Sequence, residues 1–277
     1  VNKGESPIVN SLWIGDSLSP LEILTIKSFQ YHGYTFRLWV YKEVANIPKN
    51  VLISDATDIV KSEDVFSYTN ANKYGHGKGS FAGFSDIFRY KLLYEHGGIW
   101  VDMDMTCLKP MNHEVEYIFR YHKQLGIVGN YIQCPPKSEL MKWCYNRAKN
   151  EVKSDNTDWL LPIRILNEGV NQFNLSGYVQ KFSNEDSFPL VQKMLKSNYK
   201  IAREWFVIHW MNEEFRRMDI SKEEVLPNSV LRELYIKYGV KHEVKSENQT
   251  SYKWKMSKVY YSYINLIARL KWIKNKL

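Results

Sequence analysis

Between Ser85 and Pro110 the chain changes periodicity across two adjacent glycines. Phe84, Phe88 and Leu92 recur at helical spacing in the segment Phe81 to His96, Gly97-Gly98 stops that pattern, and Ile99-Trp100-Val101 follows as a short apolar run. A helix and a strand joined by so short a link must lie against each other, which is the repeating joint of an α/β sheet. The strand leads directly into Asp102 and Asp104. In an extended chain those positions share a face, and two anions held that close repel each other unless a cation joins them. Hard oxygen ligands suit Mg2+ or Mn2+.

The preceding residues predict the same architecture. Ile8 to Ile14 reads as a strand. Ser19-Pro20-Leu21-Glu22 opens a helix, with Ser19 as N-cap, Pro20 at the first helical position and Glu22 completing a capping box; it ends at His32-Gly33. Tyr34 to Tyr41 and Val51 to Ile53 read as further strands, and Asp55 to Val60 as a helical turn. Lys61 to Ser80 is polar and closes in Tyr74-Gly75-His76-Gly77-Lys78-Gly79-Ser80. That run lacks the spacing of a phosphate-binding P-loop, so a mobile active-site loop is the expectation.

Beyond Pro110 the pattern predicts strands at Val115 to Phe119 and Gly126 to Cys134, and helices at Ser138 to Lys149 and Asp158 to Leu166. A further helix enters through Ser187-Phe188-Pro189. Trp205 to Trp210 reads as a strand carrying His209 near its end, and Asn228 to Tyr238 as a helix capped by Asn228 and Gly239.

A chain of 277 residues with 44% hydrophobic content can bury one large core, or one core and a small annex. The expected division is a catalytic domain over 1–247 and a basic amphipathic helix over 248–277. The three cysteines, Cys107, Cys134 and Cys144, form no CxxC pair, which argues against a disulfide framework or a zinc site and for a reducing compartment. The first residues lack the apolar stretch of a signal peptide, and no apolar run approaches the ~18 residues of a spanning helix. A cytoplasmic protein is expected, with peripheral attachment to the inner membrane face as an extension of that reading.

The net charge of +8 has a definite location. No acidic residue follows Glu247, and seven Lys and Arg residues after it account for all but one of the net charges. Met256, Val259, Tyr263, Ile267, Leu270 and Ile273 recur near a helical period there, so the tail is either the last helix of the fold or an interfacial helix on anionic lipid. Nucleic acid is not an expected partner, because no nucleic-acid-binding module accompanies the basic patch.

Asp86 and Arg89 are three residues apart and neighbours on one helix face. Such a pair is ordinarily a surface ion pair, but this one lies on the helix that must pack beside Asp102 and Asp104. The pattern Ser85-Asp86-x-x-Arg89, Leu93, Gly97-Gly98, Asp102-x-Asp104 resembles the donor-site block of GT-A glycosyltransferases with an Asp-x-Asp motif. It is similar to initiating mannosyltransferases of the yeast type, to bacterial capsular-polysaccharide glycosyltransferases and to the large clostridial glucosylating toxins. Leu12-Trp13-Ile14-Gly15, Ser17 to Glu22 and Ile208-His209-Trp210 resemble the capsular branch.

The resemblance implies a Rossmann-like GT-A fold with a mixed central sheet and a C-terminal helical extension. It implies a metal-dependent, retaining hexosyltransferase using Mn2+ or Mg2+ and a nucleotide sugar such as UDP-glucose or UDP-galactose, with a glycan or lipid-linked saccharide as acceptor. Asp104 would be the principal metal ligand, and Asp102 would reach the ribose and the metal. Asp86 and Arg89 would hold donor-sugar hydroxyls, a role suited to a charged acceptor and a forked donor. Trp13 would stack on the base, against the alternative of a plain core tryptophan. His209 would contact the metal or the diphosphate, against that of a hydrogen-bonded histidine at a strand end. Relatives carry a Gly-Pro pair where this chain has Leu161-Pro162, so Asp158 and Arg164 are only loose acceptor-side candidates. Two other classes compete: a metal-dependent nucleotidyl or phosphoryl transferase, which needs a further carboxylate or a phosphate loop, and an inactive binding module on a membrane surface.

Overall fold

Val9 to Leu12 are buried on consecutive positions, so β1 (Ile8–Trp13) has no solvent face, as a central strand of a parallel sheet requires. The computed structural model describes residues 6–73 and 75–245. After β1 come α1 (Pro20–Tyr31), β2 (Thr35–Val40), β3 (Leu52–Asp55), a 3-10 turn at Ala56–Asp58, α2 (Ala82–His96), β4 (Gly98–Val101) and β5 (Met105–Cys107). Then follow β6 (Ile118–His122), β7 (Gly126–Cys134), α3 (Glu139–Glu151), α4 (Leu161–Gln172), β8 (Val179–Gln180), α5 (Phe188–Lys196) and β9 (Val207–His209). α6 (Asn212–Met218), β10 (Glu224–Val225), α7 (Val230–Lys237) and β11 (Glu243–Val244) complete the described chain.

Seven strands form one mixed sheet in the order β3-β2-β1-β4-β7-β6-β8. The first four are parallel; β7 runs antiparallel to both β4 and β6, and β8 returns parallel to β6. β5 turns out of this sheet and pairs antiparallel with β9, while β10 and β11 form a small parallel ribbon. A parallel half joined to an antiparallel half, with the Asp-x-Asp segment beyond the last parallel strand, is the expected GT-A architecture.

The sheet is covered on both faces. One core joins Phe84, Phe88, Trp100, Ile132 and Met141 beneath α2, α3 and α4, and another joins Phe29, Phe36, Val101, Met103 and Tyr131 on the α1 face. A third, with Leu21, Leu24, Phe188, Trp210 and Tyr235, fastens α5 and α7 to the outer side of α1. Gly97 makes the first of these possible. Its φ of 63° is left-handed, and a Cβ there would lie 2.3 Å from the Pro136 nitrogen, so only glycine lets α2 end where it does.

The capping box at α1 is present, with the Glu22 carboxylate accepting the Ser19 N–H at 2.8 Å. Several boundaries differ from expectation. The strand expected at Val115 to Phe119 is Ile118–His122, because pairing with β7 fixes it and the residues before it follow a separate network from His113 to Gln133. The helix expected at Asp158 to Leu166 is Leu161–Gln172, since Asp158 caps the turn before it by accepting the Leu160 N–H. Ser229, not Asn228, caps α7 by accepting the Arg232 N–H at 3.2 Å. Among the described residues no helix is long and apolar enough to cross a membrane. The segment 248–277, expected as a basic helix, lies outside the described residues.

Candidate active site

β4 ends at Val101, so the Asp-x-Asp segment begins where the strand stops rather than continuing an extended chain as expected. Met103, between the two acids, is buried in the α1-side core, and its carbonyl accepts the Thr25 hydroxyl at 2.8 Å. The backbone of Asp102 donates to the Asn130 carbonyl at 3.1 Å, and the carbonyl of Asp104 accepts the Trp210 N–H at 3.0 Å. The segment is thus held from three elements, and its two carboxylates meet different partners.

Asp102 faces α2. Its Oδ1 accepts the indole N–H of Trp100 at 2.8 Å and lies 3.5 Å from Arg89 Nη1. Arg89, 4% exposed, also donates to Asp86 one helical turn earlier, and its guanidinium carbon lies 5.4 Å from the Trp100 ring centroid. Burial pushes the Asp86 carboxyl up to about 6, with the Asp102 charge adding to it and Arg89 opposing. Burial opposes the charge on Arg89, yet Asp86 and Asp102 outweigh that and raise its pKa further. Arg89 Nε is buried without a hydrogen-bond partner.

Room for this guanidinium comes from a glycine the sequence reading missed. A Cβ at Gly129 would lie 2.4 Å from Arg89 Nη1 and 3.0 Å from Cζ. Gly129 sits where the register of β6 against β7 jumps between Phe119 and Arg120, and such irregularities recur next to active sites, where they re-aim side chains.

Asp104 faces the C-terminal third. Its Oδ2 accepts the backbone N–H of Asn212 at 2.7 Å and lies 3.3 Å from His209 Nε2. Strand β5 brings this about by pairing Met105 with His209. The other ring nitrogen of His209, Nδ1, lies 2.8 Å from Asp186 Oδ1. Burial opposes a charged imidazole, but the two carboxylates outweigh it and raise His209 to about 10. The same contacts hold Asp104 and Asp186 below the usual carboxylate range in spite of their burial. Asp186, with the Arg120 that salt-bridges it, is the second site feature the sequence did not reveal.

The remaining candidates lie around these two groups. Trp13, at the end of β1, is partly buried and donates its indole N–H to the Ser17 carbonyl at 3.1 Å. Asp158 and Arg164 pair with each other, both about half exposed. Between them and α2 stands Tyr68, whose phenol is raised first by burial and then by Asp86 and Asp158. The glycine-rich loop reaches α6: Gly77 N–H donates to Glu213 at 3.1 Å, and His76 Nε2 lies 3.0 Å from Glu214.

Among the described residues no three His, Cys, Asp or Glu side chains converge as a metal cage. The donor set at Asp104 nevertheless suits a hard cation. Asp104 and His209 already face each other, and the Asn212 Oδ1, on the residue whose N–H caps Asp104, is buried with no hydrogen-bond partner. A carboxylate, an imidazole and an orphaned amide oxygen are ligands for Mn2+ or Mg2+.

Residues 26–120 match the family model of the glycosyltransferase sugar-binding region containing DXD motif. The chain is a glycosyltransferase with a DXD sugar-binding region. Asp102 and Asp104 are the DXD acids, and the matched span includes Asp86 and Arg89 but ends before Asp186 and His209. A search of curated proteins gives no match. Among solved structures, the glycosyltransferase is similar to the PaToxG glycosyltransferase at 14% identity and a TM-score of 0.43, over 61% of this chain and 69% of that one. It is also similar to the ligand-free glycosyltransferase domain from the YGT toxin, at 10% identity and a TM-score of 0.41, over 64% and 79%.

Proposed function

We propose that this glycosyltransferase moves a hexose from UDP-glucose or UDP-galactose to a glycan or lipid-linked saccharide, with Mn2+ or Mg2+ bound. The observation that carries this reading is the division of the DXD segment. Asp102 joins a buried Asp86–Arg89 pair suited to sugar hydroxyls, and Asp104 joins His209 and Asn212, suited to a cation. When bound, the cation would offset the charge that builds on the departing nucleoside diphosphate.

The chain's own residues then divide the work. Asp104, His209 and the Asn212 amide oxygen hold the cation, and Asp102 reaches the ribose. Asp86 and Arg89 bind donor-sugar hydroxyls, and Trp13 stacks on the base. The resemblance supports retention of configuration, and because none of these groups is set up as a nucleophile, retention would proceed by front-face attack, the departing phosphate taking the acceptor proton. Capsular or other surface polysaccharide is the proposed product, made at the cytoplasmic side of the membrane. The basic tail supports that location, because seven cations without an acid after Glu247 suit an anionic lipid surface.

The test is release of UDP from UDP-glucose and UDP-galactose with Mn2+ present. Turnover is expected for the wild-type chain and should be lost in Asp104→Ala. Equal turnover by that variant would sink the metal assignment.

A further inference from the structure

Asp186 lies outside the matched region and belongs to no sequence motif, yet charge surrounds it. Arg120, 1% exposed, donates to its two oxygens at 2.8 and 2.5 Å. The same guanidinium donates to Ser183 Oγ at 2.5 Å, to the Asn184 carbonyl at 3.0 Å and to Asn130 Oδ1 at 3.2 Å. One buried arginine therefore fastens the whole loop 183–186 to the edge of β6. His122 accepts the backbone N–H groups of Gln124 and Leu125 at Nδ1, so in its neutral form its proton sits on Nε2, 3.7 Å from Asp186.

The fastened loop grips His209 twice. The Asn184 side chain accepts the His209 N–H at 2.8 Å and donates to its carbonyl at 3.0 Å, as a neighbouring strand would. Asp186 takes the ring at Nδ1. An ionised carboxylate can only accept, so Nδ1 must carry a proton, and in the neutral ring the lone pair then lies on Nε2, the nitrogen that faces Asp104. Burying an arginine and a carboxylate together carries a large desolvation cost, so this arrangement is poorly explained by stability alone.

We infer that Asp186, fastened by Arg120, is a positioning residue that fixes the tautomer and orientation of His209 so that Nε2 ligates the divalent cation shared with Asp104. This rests on the metal-dependent reading above. It extends the site to a loop some eighty residues beyond the DXD acids, with the carboxylate–histidine–metal order in which outer carboxylates orient ligating imidazoles.

The test is Mn2+ binding to the full chain by calorimetry, for wild type, Asp186→Asn, His209→Gln and the double variant. Asp186→Asn is expected to weaken Mn2+ binding about 10- to 100-fold. It should cost nothing further in the His209→Gln background, because its effect passes through that ring. The same loss in both backgrounds, or no loss in wild type, overturns the positioning role while leaving metal binding intact. Absence of Mn2+ binding by wild type overturns the metal reading, and this inference with it. A second measurement avoids variants altogether: imidazole 15N shifts of the wild-type chain with Mg2+. A protonated Nδ1 and a metal-shifted Nε2 are expected for His209, and a protonated Nε2 overturns the assignment.

Discussion

The indole N–H of Trp100 donates to Asp102 Oδ1 at 2.8 Å, so the last ring of β4 reaches over to orient the first acid of the DXD segment. The same ring carries the Arg89 guanidinium on its face. Strand, helix and carboxylate are thus registered by one buried tryptophan, and that suggests how the Asp102 half of the site can be probed without touching an acid.

Replacing Trp100 by Phe keeps an aromatic ring and removes the donor. A hydrogen bond to a charged group contributes about 1.5–3 kcal/mol, reduced here because Asp102 is partly exposed to water. The expected result is a fall of about tenfold in kcat/KM for the donor. It should appear mainly in KM, with a circular-dichroism spectrum like that of wild type. An unchanged KM would mean that the indole does not orient Asp102.

Gly129→Ala tests the space on the other side of the guanidinium. The added methyl would meet Arg89 at 2.4 Å, and Arg89 is too enclosed to swing into solvent. Stability should fall by about 1–3 kcal/mol, and donor binding should fall with it. Thermal denaturation and UDP-sugar titration measure the two effects separately. Full activity in the variant would show that the Asp86–Arg89–Asp102 arrangement has slack.

The Asp104–His209–Asp186 row predicts a pH dependence for the metal-free chain. His209 is raised from 6.5 to about 10, so its contribution to stability is fully present below pH 6.5 and is lost as pH rises toward 10. In EDTA, the melting temperature of wild type should exceed that of His209→Gln most clearly at pH 6, and the gap should close by about pH 10. A gap that widens with pH would contradict the charged imidazole.

Deletion after Gln249 addresses the basic tail. The shortened chain should bind anionic vesicles more weakly in a sedimentation assay while keeping donor hydrolysis. If hydrolysis and thermal stability both collapse, the tail belongs to the fold and not to the lipid surface.

Much of the Asp102 half was legible because its signals are local. The capping box at Ser19 to Glu22, the helical spacing of Phe84, Phe88 and Leu92, and the glycine stop at Gly97 each act within a few residues, and α1, α2 and β4 fall where those signals place them. The Asp104 half was legible only in part. His209 stood out as a histidine near a strand end, but Arg120, Asn184 and Asp186 carry no periodicity and meet only through tertiary contacts. Gly129 lay in a plain strand pattern, and its meaning depends on a side chain forty residues earlier. α6, bounded by left-handed residues at Met211 and Asp219, is too short to announce itself by repetition.

The pairing of β5 with β9 joins Met105 to His209 across about a hundred residues of intervening chain. During synthesis on the ribosome, the Asp86–Arg89–Asp102 group can therefore assemble as soon as β7 has emerged, while Asp104 must wait for residues 184 to 212. A nascent chain halted before that point would have Asp102 beside Arg89 and leave Asp104 without His209 and Asn212. The Asp104 group is thus completed only by the last third of the described chain.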